Sequence, residues 1–197
     1  LGMVSSAVYR YVASRDELLT LLIVEAYESL GDAVDAALAE RSDAPPFERF
    51  VAAATAVREW AVAAPHEYAL VYGSPVPGYA APETTIAPAT RVTLALIGII
   101  DGAHRDGLLE PPDGVVATVD PGIAADFDVV RADLGTELPD DVLVRAIAAW
   151  TQLFGIVSFE VFGQTRNVIH RHAELFEATV GAVARLVGLV PPPDPAA

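Results

Sequence analysis

The sequence predicts an all-α protein, a helical bundle with a small helical segment in front, and three observations carry that expectation. Apolar residues recur at three- and four-residue steps over long stretches, the spacing of one face of a helix. The Ala, Leu, Glu and Arg content favours helix, while alternation of the strand type is scarce. Stretches rich in proline and glycine then cut the chain into helix-length pieces. With 197 residues, 53% of them hydrophobic, there is material for one large domain with or without a small appendage.

The elements follow in order. Ser5 and Ser6 can cap a short helix running to about Val12, because their hydroxyls can accept from free amides of the first turn. Ser14 followed by Glu17 is a capping box, which starts a new helix near Arg15. Its stripe is Leu19, Leu22, Ile23, Ala26, Leu30, Val34 and Leu38, and its expected end is about Arg41. Pro46 suits the first turn of the next helix, whose apolar face of Phe47, Phe50, Val51, Ala54, Val57 and Ala61 runs to Ala64. Pro65 to Tyr72 reads as a short helix, and Gly73 to Pro88 as a structured loop without regular helix. A helix from about Ala89 to Arg105 is closed by Gly107 as a left-handed cap. Leu108 to Gly122 reads as loop, Ile123 to Leu134 as helix, and Gly135 to Pro139 as a break. Two final helices span about Asp140 to Phe162 and Val168 to Leu189. The second carries Ile169, Ala173, Phe176, Val180, Val183 and Val187, a seam suited to a partner helix. Residues 191–197 read as a disordered tail, and no internal repeat is visible.

Charge and composition narrow the function. The formal net charge is −15 and every basic residue is arginine, so the chain is not built to wrap nucleic acid over its whole surface. A small basic head on an acidic body remains open, and the first twenty residues are roughly neutral. The lack of cysteine removes disulfides, thiolate nucleophiles and thiolate metal sites together, and suits a reducing cytoplasm. The first apolar stretch is interrupted by Arg10, Arg15, Asp16 and Glu17, unlike a signal peptide. The run Val92 to Ile100 is too short to span a bilayer, so a soluble cytoplasmic protein is the expectation. There is no phosphate loop, nucleotide-binding glycine pattern or strand-turn-helix serine. His170 and His172, two apart on the expected helix, point to different faces and make a poor metal pair. Asp101 and His104 stand at helical spacing, which a surface hydrogen bond explains. No catalytic residue, metal or cofactor is expected.

The segment Leu1-Gly2-Met3-Val4-Ser5-Ser6-Ala7-Val8-Tyr9-Arg10-Tyr11-Val12-Ala13-Ser14-Arg15-Asp16-Glu17-Leu18-Leu19 resembles the back half of a TetR-family helix-turn-helix. Val8-Tyr9 fills the family's apolar-Tyr pair, Tyr11 its aromatic slot, and Ser14 to Leu19 the start of the following helix. Val4 departs from the pattern, standing where the family usually has a serine or similar cap. The resemblance implies a head whose first helix and most of the second would precede Leu1. It makes residues 1–18 the last part of a DNA-binding head and 19–190 an effector-binding and dimerising domain. A short helix with small polar residues at its N-terminal end can enter the major groove, so Ser5, Ser6 and Ala7 are candidates to face base edges. Tyr9, Arg10, Tyr11 and Arg15 are candidates for phosphate contacts, which fix register without reading sequence.

A second stretch, Ala64 to Tyr79, looks like a segment common in one branch of TetR-like C-terminal domains. Trp150 through Phe154-Gly155 to Phe162-Gly163 resembles the tryptophan-containing penultimate helix of that branch; 113–139 lies outside the match. The resemblance implies a ligand-responsive repressor, released from operator DNA by a small apolar or amphipathic effector. Trp60, Tyr68, Tyr72, Tyr79, Trp150 and Phe154 could line the cavity, with His66 and His104 as polar handles. For a homodimer, Gly155, Ser158, Phe159 and Phe162 could face Phe176, Val180 and Val183 in a four-helix bundle completed by the partner. The same positions could instead form an intramolecular seam. Two other classes stand beside the repressor: a helical enzyme sharing this body, and a helical small-molecule carrier without DNA binding. The head segment separates them, since neither alternative needs it.

Overall fold

The computed structural model describes residues 12–110, 112, 114 and 118–192. The chain is all-α: seven α-helices among the described residues, joined by turns and one isolated bridge. The expected short helix of residues 5–12 and most of the tail lie outside the described residues.

Helix α1 (Arg15–Ala39) begins as its capping box requires. Ser14 is extended and its Oγ accepts from the Glu17 amide at 3.0 Å, while Glu17 Oε2 accepts from the Ala13 amide at 2.5 Å. Ile23, Ala26, Leu30, Gly31 and Val34 form the buried stripe. Leu22 was expected in that stripe but stays exposed, because it lies a full 100° helical step from Ile23. Helix α2 (Pro46–Ala63) starts on Pro46 and occupies the centre of the bundle, touching α1, α4, α6 and α7. Helix α3 spans Pro65–Tyr72 as expected.

Two helix starts differ from expectation. A 3-10 turn at Glu83–Thr85 runs straight into α4 (Ile86–Arg105), which therefore takes in Pro88. Proline in the first turn removes an amide that has no intrahelical partner anyway, so it does not break the helix. The other late change is α7 (His172–Val187), which begins four residues after the expected Val168. The chain from Gly163, at φ 74°, runs in turns in which the Thr165 carbonyl accepts from both Val168 and Ile169. His170 therefore lies outside the helix that was expected to carry it. The ends at Gly107 (φ 68°) and Gly135 (φ 63°) are the left-handed caps the sequence predicts.

Helix α5 (Pro121–Leu134) is capped by Asp120, whose Oδ1 accepts from the Gly122 amide at 2.8 Å. It rests chiefly on α6 (Asp140–Val161) and buries one side chain, Phe127. One buried ring contributes roughly 1.5–3 kcal/mol, whereas each longer helix buries five or more residues, so α5 is the least anchored of the set. Polar ties hold its C-terminal end: Arg131 donates to the Leu138 carbonyl at 2.9 Å and pairs with Asp140, and Thr136 Oγ1 donates to Asp101 Oδ1 at 2.6 Å.

Two arginine clamps lock the other helices. Arg58 of α2 grips Glu160 of α6 through two parallel hydrogen bonds of 2.7 and 2.6 Å, and its guanidinium sits 5.5 Å from the Phe176 ring centre on α7. Arg91 of α4 reaches across to α1, pairing with Asp32 at 2.8 Å and Asp35 at 2.5 Å. By length and composition alone α4 and α6 could cross a membrane; such helices also occur in the cores of bundles, and here both bury their apolar stripes against neighbours.

Candidate functional site

The aromatic residues expected to line a cavity form a packed row instead. Tyr72 lies 4.5 Å from Phe154 and 5.0 Å from Tyr68 between ring centres, and Trp150 continues the row 5.8 Å beyond Phe154. Tyr27 meets Tyr72 edge-on and Phe162 closes over Tyr68; the sequence reading did not place either ring here. Such contacts are the attractive arrangements of ring quadrupoles. Tyr68 is fully buried, and its hydroxyl bonds Ser158 Oγ at 2.8 Å and the Phe154 carbonyl at 3.2 Å, fastening α3 to α6. Burial pushes the phenols of Tyr27, Tyr68 and Tyr72 above their ordinary value, with neighbouring Tyr27 and Tyr68 adding to the rise at Tyr72.

Four of the expected lining residues lie elsewhere. Trp60 is buried in the core with its indole N–H donated to Ser29 Oγ at 3.0 Å. His66 is exposed on α3 and His104 half-buried at the end of α4. Tyr79 bonds Thr20 Oγ1 at 2.9 Å, so the loop after α3 touches the first turns of α1.

The enclosed apolar space is on the other side of α6. A chamber of about 190 Å³ lies between α2, α4, α5 and α6, walled by Phe50, Leu96, Ile97, Ile100, Val130, Leu134, Leu143, Ala146, Ile147 and Trp150, with Thr93 at one edge. Of the residues expected to contact an effector, Trp150 alone lines it. The aliphatic walls were missed because at helical spacing they are indistinguishable from ordinary core. The one available signal was the unbroken apolar run of α4.

The residues expected at a dimer seam divide between two faces. Phe176, Val180 and Val183 are buried within the chain, and Ser158 turns inward to Tyr68. The seam on α7 is thus filled by the chain's own α2 and α6. Phe159 and Phe162 are exposed, and Gly155 faces open space. With Ile156, Leu175 and Thr179 they border a groove between α6 and α7, and Ala178, Ala182 and Leu186 extend it along α7.

Ser5, Ser6, Ala7, Tyr9, Arg10 and Tyr11 lie outside the described residues, while Arg15 is exposed at the first position of α1. Among the described residues no group of three or more His, Cys, Asp or Glu is placed to hold a metal ion.

Residues 50–183 match a family profile described as Tetracyclin repressor-like, C-terminal domain. The HTH-type transcriptional regulator Rv1816 of Mycobacterium tuberculosis and its counterpart Mb1846 of Mycobacterium bovis are each 45% identical to the chain over 165 residues, 83% of this chain and 69% of theirs. Among solved structures, the regulatory protein SCO4313 superposes with a TM-score of 0.70 at 33% identity, over 92% of this chain and 79% of that one. A Rhodococcus protein of unknown function shares the fold at a TM-score of 0.65 and 20% identity, over 95% of this chain and 80% of its own.

Proposed function

The chain belongs to the TetR family of transcriptional regulators, and from that premise we propose that it is the effector-binding and dimerising body of a repressor that acts on operator DNA in the cytoplasm. The relatives are named as transcriptional regulators, so the enzyme reading is set aside.

One observation supports ligand responsiveness above the others. Helix α4 lines the apolar chamber with Leu96, Ile97 and Ile100 and, through Arg91, grips Asp32 and Asp35 on α1. Helix α1 is the element that follows the head segment. A ligand wedged against α4 therefore acts one helix away from the recognition segment. Release of DNA requires that the ligand bind the DNA-incompetent arrangement more tightly, since equal affinity for both shifts nothing. In the head, Ser5, Ser6 and Ala7 would face base edges, and Tyr9, Arg10, Tyr11 and Arg15 would hold phosphates.

The dimer proposed from sequence is redrawn on the outward face of α6 and α7. Gly155, Phe159 and Leu175 replace the buried Phe176, Val180 and Val183 as its centre. A two-fold pair of bodies would set two recognition helices about one DNA turn apart. Phe159→Glu places a charge at that centre and is expected to convert dimer to monomer in sedimentation; an unchanged dimer would put the interface elsewhere.

The repressor reading is tested by a mobility-shift titration of the protein carrying a complete head against the DNA upstream of its own gene. A specific shift is expected. Tyr9→Phe should weaken binding to all sequences, and Ser6→Ala should change which sequence is preferred. An intact head with no specific shift refutes the reading.

A further inference from the structure

We propose that the chamber between α4, α5 and α6 binds an uncharged, hydrocarbon-like molecule of single-ring size, admitted by displacement of α5. The biological consequence rests on the effector reading above, but binding at the site does not.

The chemistry of the walls sets the class. Leu96, Ile100, Leu143 and Trp150 surround the space, no charged side chain lines it, and Thr93 brings the lining's single hydroxyl. A carboxylate, ammonium or sugar would leave its hydration behind with nothing to replace it. An ordered water needs two to four polar partners, so these walls hold water poorly and a hydrocarbon displaces little.

Size narrows the class further. An apolar cavity of about 150 Å³ accommodates benzene. At about 190 Å³ this chamber has room for a benzene-sized ring carrying a small alkyl group, and not for a long acyl chain.

Access follows from how α5 is held. Val130 and Leu134 close the chamber from α5, yet α5 buries only Phe127, and its named polar ties gather at the C-terminal end around Arg131 and Thr136. Its N-terminal half can swing out without breaking those ties.

The test titrates the full chain with toluene and, as a charged match of similar size, with benzoate. Melting temperature and the methyl resonances of Ile97, Ile100 and Leu143 are read. Saturating toluene should raise the melting temperature by about 2–4 °C and shift those resonances, while benzoate does neither. Ala146→Leu and Thr93→Leu narrow the chamber from α6 and α4 respectively, and each should abolish the toluene response. If one variant does not fold, the other carries the comparison. Benzoate binding as well as toluene, a toluene response preserved in the folded variants, or silent methyl groups would each overturn the proposal. Operator occupancy, measured separately with a complete head, keeps the two claims apart. Toluene bound without operator release leaves the site standing and removes its effector role; release by a charged molecule acting elsewhere, with silent methyl groups, does the reverse.

Discussion

On one side of α6, Tyr68 and Tyr72 meet Phe154 in a continuous row, with ring centres 4.5 to 5.0 Å apart where Tyr72 joins its neighbours. On the other, aliphatic side chains of α4 and α5 stop short of α6 and leave about 190 Å³ between them. The richer side is the more solid one. Flat rings stack closely, and the Tyr68 hydroxyl finds fixed acceptors on α6, so the row behaves as structure. Branched aliphatic residues on a lightly anchored helix have no such directional contacts to draw α5 inward. A cluster of aromatics in a helical bundle is therefore a poor guide to where a ligand sits.

The contrast can be broken by substitution, and the largest effect belongs to the solid side. Tyr68→Ala removes a fully buried ring and its two hydrogen bonds; a loss of about 3–5 kcal/mol in urea unfolding is expected. A loss below about 1 kcal/mol would mean that the row is loosely packed. Next comes the clamp that braces α6 from behind. Arg58→Ala leaves Glu160, largely buried, without its bidentate partner and should cost about 2 kcal/mol by the same measurement.

A matched pair then compares solid and hollow directly. Ala61→Leu enlarges a side chain in the fully buried core of α2 and should destabilise by about 1–3 kcal/mol. Ala146→Leu makes the same change facing the chamber and should change stability by less than about 1 kcal/mol, because there is space to receive it. Equal penalties would show that the chamber closes in solution. The smallest effect at neutral pH concerns the raised phenol of Tyr72. Its contribution is fully present below the ordinary tyrosine value of 10.0 and declines as pH rises above it, since the unfolded chain releases its phenol protons first. Tyr72→Phe should flatten that alkaline decline in a stability profile; an unchanged slope would assign the decline to other groups.

Much of the backbone was legible in the sequence because its signals are local. Ser14 with Glu17, Pro46 and Pro65 at first turns, and the glycines at 107 and 135 each mark a helix end by their own stereochemistry. The starts of α4 and α7 were not legible for the same reason. Pro88 reads as a breaker unless it is known to sit in a first turn, and residues 163–171 carry no strong breaker beyond Gly163. The site was legible only in part. Tyr68, Tyr72, Trp150 and Phe154 do come together, but as packing, while Trp60, His66, Tyr79 and His104 are held elsewhere. Spacing placed Phe176, Val180 and Val183 on one stripe without saying whether that stripe meets a partner or the chain's own α2. A cavity is a relation among helices far apart in sequence, and no local pattern encodes it.

The most direct measurement is a crystal of the protein pressurised with xenon, an uncharged atom that reports dry apolar space without help from hydrogen bonds. A single strong peak bounded by Leu96, Ile100 and Leu143 is the predicted result. Xenon seated instead within the row of Tyr68, Tyr72 and Phe154, or absent from the chamber, would contradict the assignment of solid and hollow sides on which the effector proposal depends.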